Sequence, residues 1–256
     1  MTVEEAALLE RAFASLGHFY RLLSRASEGA HLVERGGVQA CVVPAAPERS
    51  FTNAVVYEDV AALRAALADV TAAYDEAGVE AWTVWVPESD REAADLLADA
   101  GNRLDARPAA MGRSLDGAER PAAAELDAWS RRAEVSTLAE VNDRSFGFGT
   151  DSFARALGRL DPALVHVYAA ELDGLPASVL MTCDHGGNCE VDAVATLPEA
   201  RGRGLAGALM RHALADARER GCETTTLIAT AMGRPLYERL GYRTLGVVEM
   251  WERRRR

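Results

Sequence analysis

The chain has 256 residues, 49% of them hydrophobic, and a formal net charge of −11 at neutral pH. That is enough apolar material for one large or two small domains, while the acidic balance argues against nucleic acid, whose phosphates call for a basic surface. The apolar runs are far too short to span a bilayer, and Cys41, Cys183, Cys189 and Cys222 form neither a zinc-type spacing nor a disulfide scaffold.

The first residues, MTVEEAALLERAF, are acidic and amphipathic, unlike a signal peptide, so a cytoplasmic protein without a membrane partner is expected. Thr2-x-x-Glu5 is a capping box and predicts a helix to about Arg25. Val60, Leu63, Leu67, Val70 and Tyr74 form the stripe of a second helix, which Asp59 caps. Gly78 then closes the helix and a strand follows.

Residues 116–125, DGAERPAAAE, are rich in Pro and Ala with no apolar periodicity, and read as a boundary between halves 1–118 and 119–256. Beyond it, Thr137-x-x-Glu140 predicts a helix ending near Gly147. Asn142 to Phe153 holds two glycines and three phenylalanines. It reads either as a mobile lid or as a loop anchored by its aromatic rings. Strands are expected at Leu164–Glu171 and Ala177–Thr182 around the turn Asp173-Gly174. A second turn, His185-Gly186-Gly187-Asn188, leads into a strand over Glu190–Leu197. Cys183, His185 and Cys189 lack a fourth metal partner and read as strand residues, so no metal is expected.

The segment that follows is the most informative. Arg201-Gly202-Arg203-Gly204-Leu205-Ala206 opens a helix whose apolar residues Leu205, Leu209, Ala213 and Ala217 recur every fourth position. A glycine-rich turn at a helix start offers unpaired N–H groups and the positive end of the helix dipole, a cradle for phosphate. The spacing is neither a Walker loop nor Gly-x-Gly-x-x-Gly. Further on, Leu236-Tyr237-Glu238 precedes Gly241-Tyr242 in a helix that stops at the glycine.

Together these two stretches resemble the GNAT acetyltransferase superfamily, whose Arg/Gln-x-x-Gly-x-Gly/Ala signature is matched by Arg201, Gly204 and Ala206. Its Leu-Tyr-Glu-x-x-Gly-Phe/Tyr signature is matched by Leu236, Tyr237, Glu238, Gly241 and Tyr242. The resemblance implies an α/β (α+β mixed sheet) fold and an acetyl-CoA-dependent N-acyltransferase acting on an amine acceptor. It implies that acetyl-CoA lies against Arg201–Ala206 and against the backbone of Val194, Ala195 and Thr196. Thr230 stands where the family often has Asn, so altered cofactor contacts are expected there. Tyr237 matches the general acid; as an isolated residue it would equally read as a buried helix aromatic. For the base, Glu190 and Asp192 share one face of their strand. Glu190 is preferred for its reach, and Asp192, nearer the thioester, stays open.

The halves repeat loosely. YDEAGVEAWTVWV pairs with ARERGCETTTLIA, and LLADAGNRLDARPAAM with LYERLGYRTLGVVEM, aligning Gly78 with Gly221 and Gly101 with Gly241. The first half carries Glu58-Asp59 in place of the cradle and Leu97 in place of Tyr237. The expectation is two tandem GNAT-like units, each a mixed, mainly antiparallel twisted sheet flanked by helices, the first emptied of chemistry. A non-catalytic acyl-CoA-binding regulatory protein is the alternative. The terminal Arg253–Arg256 run is expected to be a solvated tail rather than an RNA or membrane contact.

Overall fold

The computed structural model describes residues 2–118, 129–130, 133–149 and 151–255. Helix α1 (Val3–Leu23) starts with the expected capping box: Glu5 N–H donates to the Thr2 hydroxyl and Thr2 N–H to the Glu5 carboxylate. It ends at Leu23, two residues short of Arg25. The hairpin β1 (His31–Arg35) and β2 (Val38–Val42) leads to β3 (Ala54–Tyr57), α2 (Val60–Glu76), β4 (Ala81–Pro87), α3 (Arg91–Asp99), β5 (Arg103–Ala106) and β6 (Ala109–Ser114). After β7 (Trp129–Ser130) come α4 (Val135–Phe146), α5 (Ser152–Leu157), β8 (Val165–Leu172), β9 (Leu175–His185) and β10 (Asn188–Thr196). The chain finishes with α6 (Leu205–Glu219), β11 (Thr224–Ala229), α7 (Arg234–Arg239) and β12 (Arg243–Arg254).

The mixed α/β character is as expected, but two separate sheets are not found. The strands form one twelve-stranded sheet in the order β1-β2-β3-β4-β12-β6-β11-β10-β9-β8-β7, with β5 also paired to β12. The reason lies at its centre. Within each half one pair is parallel, β3 with β4 and β10 with β11. The strand antiparallel to β4 is then β12, from Val248↔Pro87 to Arg254↔Ala81, and the one antiparallel to β11 is β6. Each half completes itself with the last strand of the other, and β12 and β6 pair at the seam.

Burial follows from this arrangement. On one face, α1, α4 and α5 cover a single core that runs across the seam, from Leu16 and Phe19 through Trp85 to Leu138, Phe153 and Val179. On the other face there are two cores, one under α2 and α3 around Leu63, Tyr74 and Leu97, the other under α6 and α7 around Leu209, Leu214 and Tyr237. One shared layer and two private ones make the halves mutually dependent.

Several local expectations need correction. Helix α4 opens at Val135 with Glu134 as its N-cap, so Thr137 lies inside it and makes no capping bond. Asn142–Phe153 is mostly helical, because α4 continues to Phe146 and α5 begins at Ser152, leaving only 147–151 as a connection. The terminal arginines are not a free tail: Arg253 and Arg254 belong to β12, and Arg255 N–H donates to Glu80 O at 2.7 Å. Arg256 and residues 119–128, most of the expected boundary, lie outside the described residues. Among the described residues no group of His, Cys, Asp and Glu is placed to hold a metal, and no helix is long and apolar enough to cross a membrane.

Candidate active site

Strands β10 and β11 run parallel from Asn188↔Thr224 to Val191↔Leu227 and then separate, although β10 continues to Thr196 and β11 to Ala229. A β-bulge causes the divergence. Between Asp192 and Ala195 the register with β9 slips by one residue, and Ala193 takes φ +51°, a left-handed conformation that L residues rarely adopt. Beyond the bulge, Leu197 N–H donates to Ala177 O on β9 at 2.9 Å. By alternation, the N–H and C=O of Thr196 face the open side of the strand. Sites of this kind supply fixed donors to a developing oxyanion.

Pro198–Ala200 turns the chain through one 3-10 turn, and Gly202 and Gly204 take φ values of +76° and +80° before α6 begins. Gly204 is the N-cap and has no side chain to occupy the first N–H groups of the fifteen-residue helix. A Cβ built on either glycine meets nothing within 4 Å. The loop is therefore open to a ligand, with the helix dipole behind it. Arg201 donates from Nε to Thr196 O and from Nη2 to Ser145 O, both at 3.2 Å, which ties the loop to α4. Arg203 is exposed and does not line the cleft.

A cleft of about 690 Å³ runs from this loop through the split. Asp192, Val194, Ala195 and Thr196 line it from β10, and Arg201, Gly202, Gly204, Leu205 and Ala206 from the loop and α6. Thr230 and Tyr237 line it from beyond β11. Thr230 fixes the start of α7: its hydroxyl accepts from Gly233 N–H at 3.2 Å and its carbonyl from Arg234 N–H at 3.0 Å. The Tyr237 ring packs so closely on Gly233 that a Cβ there would lie 3.0 Å from it. Burial, and then the charge of Asp192, raise the Tyr237 hydroxyl above its ordinary range, so it holds its proton at neutral pH.

The two carboxyls separate in depth. Glu190 is buried, with Oε2 unpartnered, and does not line the cleft. Desolvation, followed by the charge of Asp192, pushes it far above the usual carboxylate range. Asp192 does reach the cleft; its Oδ2 is also unpartnered, and burial raises it to about 7. A carboxyl that ionises near neutrality can take a proton and give it up. Of the two candidates Asp192 is the one that lines the cleft, and the longer reach of Glu190 does not bring it there.

Residues of the first half complete the cleft, and nothing local in the sequence marks them: Glu48, Arg49 and Phe51 from the β2–β3 loop, Trp85 from β4 and Leu16 from α1. Arg49 is buried, donates to Ser152 Oγ at 3.0 Å and pairs with Asp143. Their approach is a product of long-range packing across the shared face.

Residues 163–244 match the family model described as the acetyltransferase (GNAT) domain. No curated protein matches the chain. Among solved structures, a GCN5-related N-acetyltransferase from Kribbella flavida is similar with a TM-score of 0.69 and 19% identity, over 94% of this chain and 95% of that one. A GCN5-related N-acetyltransferase from Sphaerobacter thermophilus has a TM-score of 0.60 at 19% identity, over 96% and 91%. A tandem GNAT protein from the clavulanic acid biosynthesis pathway has a TM-score of 0.60 at 14% identity, over 94% and 95%. Residues 163–244 thus match a GNAT acetyltransferase domain, and the fold around them is one that these GNAT structures share.

Proposed function

We propose that the protein is an acetyl-CoA-dependent N-acetyltransferase with one active site, in which residues 119–256 carry the chemistry and residues 1–118 are a degenerate GNAT-like unit. The observation that carries this reading is the opening of β10 from β11 directly into the glycine loop, with Asp192 and Tyr237 on the same cleft. The tandem reading is supported by the equivalent strand directions and by the paired glycines. Gly78 and Gly221 have φ +70° and +97°, and Gly101 and Gly241 have +92° and +84°. Where the second half has its loop, the first has Asp59, whose carboxylate accepts from Ala62 N–H at 2.8 Å and so occupies the helix start.

In this mechanism the pyrophosphate of acetyl-CoA sits on the N–H groups at Gly202–Ala206, and the acyl arm enters the split beside Val194–Thr196. Asp192 takes a proton from the acceptor ammonium. The neutral nitrogen attacks the thioester carbonyl, the C–S bond breaks and the thiolate receives the Tyr237 proton. The acylated nitrogen then loses its surplus proton, which returns to the Tyr237 phenolate, and Asp192 releases its own to solvent, giving CoA and the acetylated amine. Calorimetry with acetyl-CoA, followed by a screen of amines for free-thiol release, tests the reading. Binding at one site with amine-dependent thiol release is expected. Binding without turnover would instead make the chain an acyl-CoA-binding regulator.

A further inference from the structure

The end of the cleft farthest in sequence from the glycine loop has a distinct chemistry. Its walls are Phe51 and Trp85 from the first half and Phe148 and Phe153 from the α4–α5 segment. Phe146, Phe148 and Met232, which also line the cleft, are 47%, 45% and 65% exposed. They are three of the seven exposed large hydrophobic side chains among the described residues. An apolar cluster left open beside a cleft points to a ligand that covers it.

Three of the four arginines that line the cleft are already engaged. The Arg49 guanidinium lies 3.9 Å from the Phe148 ring centre and 5.0 Å from that of Phe153, while its nitrogens bond Asp143 and Ser152. Arg254 is held by both oxygens of Glu252, at 2.6 and 2.9 Å. Arg201 is bonded to two backbone carbonyls, and Arg239, which also lines the cleft, stands exposed on the Tyr237 helix. Paired cations of this kind are poor receptors for a substrate carboxylate. What the cleft does offer beside the wall is negative: Asp192, with an unpartnered oxygen, while Glu48 accepts from the Ser152 hydroxyl and lies 3.9 Å from Arg49 Nε.

Resting on the acetyltransferase reading, we infer that this aromatic lobe is the acceptor subsite and takes a primary amine borne on a flat apolar group, with Arg49 as the positioning residue that braces its wall. The ring lies against the phenylalanines and the ammonium faces Asp192. The first half, lacking a cofactor loop, thereby supplies half of the acceptor site. An acceptor with its own carboxylate would bring that charge beside Asp192, and a polyamine would leave the aromatic wall uncovered.

The test uses the full chain with acetyl-CoA and three amines: 2-phenylethylamine, L-phenylalanine, which differs by one carboxylate, and spermidine. Free-thiol release should give 2-phenylethylamine a kcat/KM at least about tenfold above spermidine, the scale of burying one ring, and at least about tenfold above L-phenylalanine, whose carboxylate faces the like charge of Asp192. Phe148→Ala, at an exposed position that leaves the fold intact, should raise its KM about tenfold with kcat little changed. Arg49→Lys should do the same while acetyl-CoA affinity stays at the wild-type value. Equal or greater efficiency with L-phenylalanine or spermidine overturns this inference alone, as does a KM unmoved in both variants. Failure to bind acetyl-CoA in calorimetry overturns the acetyltransferase reading itself.

Discussion

Glu190 and Asp192 stand two residues apart on one face of β10, yet only Asp192 reaches the cleft, with Glu190 sealed beneath it. In the proposed mechanism these two carboxyls divide the labour, Asp192 exchanging protons with substrate and Glu190 staying neutral.

The pH profile should report this division. Asp192 is raised to about 7, so kcat/KM should climb as pH rises through that value. Asp192→Asn should abolish that limb and lower kcat by about 10²–10³. Glu190→Gln copies the protonated form that burial favours and should leave the limb in place. A retained limb in Asp192→Asn would move the base elsewhere.

The same shift has a stability consequence of definite sign. A carboxyl raised above its unfolded value binds its proton more tightly in the folded state, so its contribution is present at low pH. That contribution is lost as pH rises from the ordinary Asp range through about 7. Asp192→Asn should therefore raise the melting temperature of the unliganded protein more at pH 8 than at pH 5. Equal gains at both values would show that burial does not shift this group.

Tyr237→Phe removes the proton donor and keeps the ring that packs on Gly233. Turnover should fall by about 10²–10⁴-fold with acetyl-CoA affinity nearly unchanged. Wild-type turnover in the variant would assign the thiolate's proton to water.

Stoichiometry separates the halves. Calorimetry should find one acetyl-CoA per chain, and Gly204→Val should weaken it by at least about tenfold, because a side chain at φ +80° is strained and enters the phosphate space. Asp59→Ala should cost about 1 kcal/mol of stability through the lost cap and leave that affinity alone. Two sites per chain would contradict the emptied first half.

What the sequence made legible was local. The glycine loop could be read because φ above zero and an uncapped helix start demand glycine at Gly202 and Gly204, whatever the rest of the chain does. The hairpin turn at Asp173-Gly174 was legible for the same reason, and both residues take positive φ. The choice between Glu190 and Asp192 was not, because both alternate onto one face and only cleft depth tells them apart. Arg49 and Trp85 were invisible as site residues: Arg49 meets Asp143 across 94 positions, and no periodicity encodes such a contact. Asn142–Phe153 reads as a loop from its two glycines and three phenylalanines; Phe153 is buried in the shared core, in keeping with aromatic anchoring, but α4 and α5 take in both ends of the segment. Strand exchange left no mark either, since a backbone ladder is indifferent to which half its partner comes from.

That exchange carries a temporal consequence. On the ribosome the first half is made early, yet the strand that closes its sheet beside β4 is the last element to emerge. Until β12 arrives, β4 exposes an unpaired edge, and β6 must wait for β11 in the same way. Neither half's sheet is complete without a strand of the other, so deleting residues 1–118 would take away β6, the strand paired to β11. On the proposed tandem reading, the first unit serves as a folding partner whether or not it keeps any chemistry.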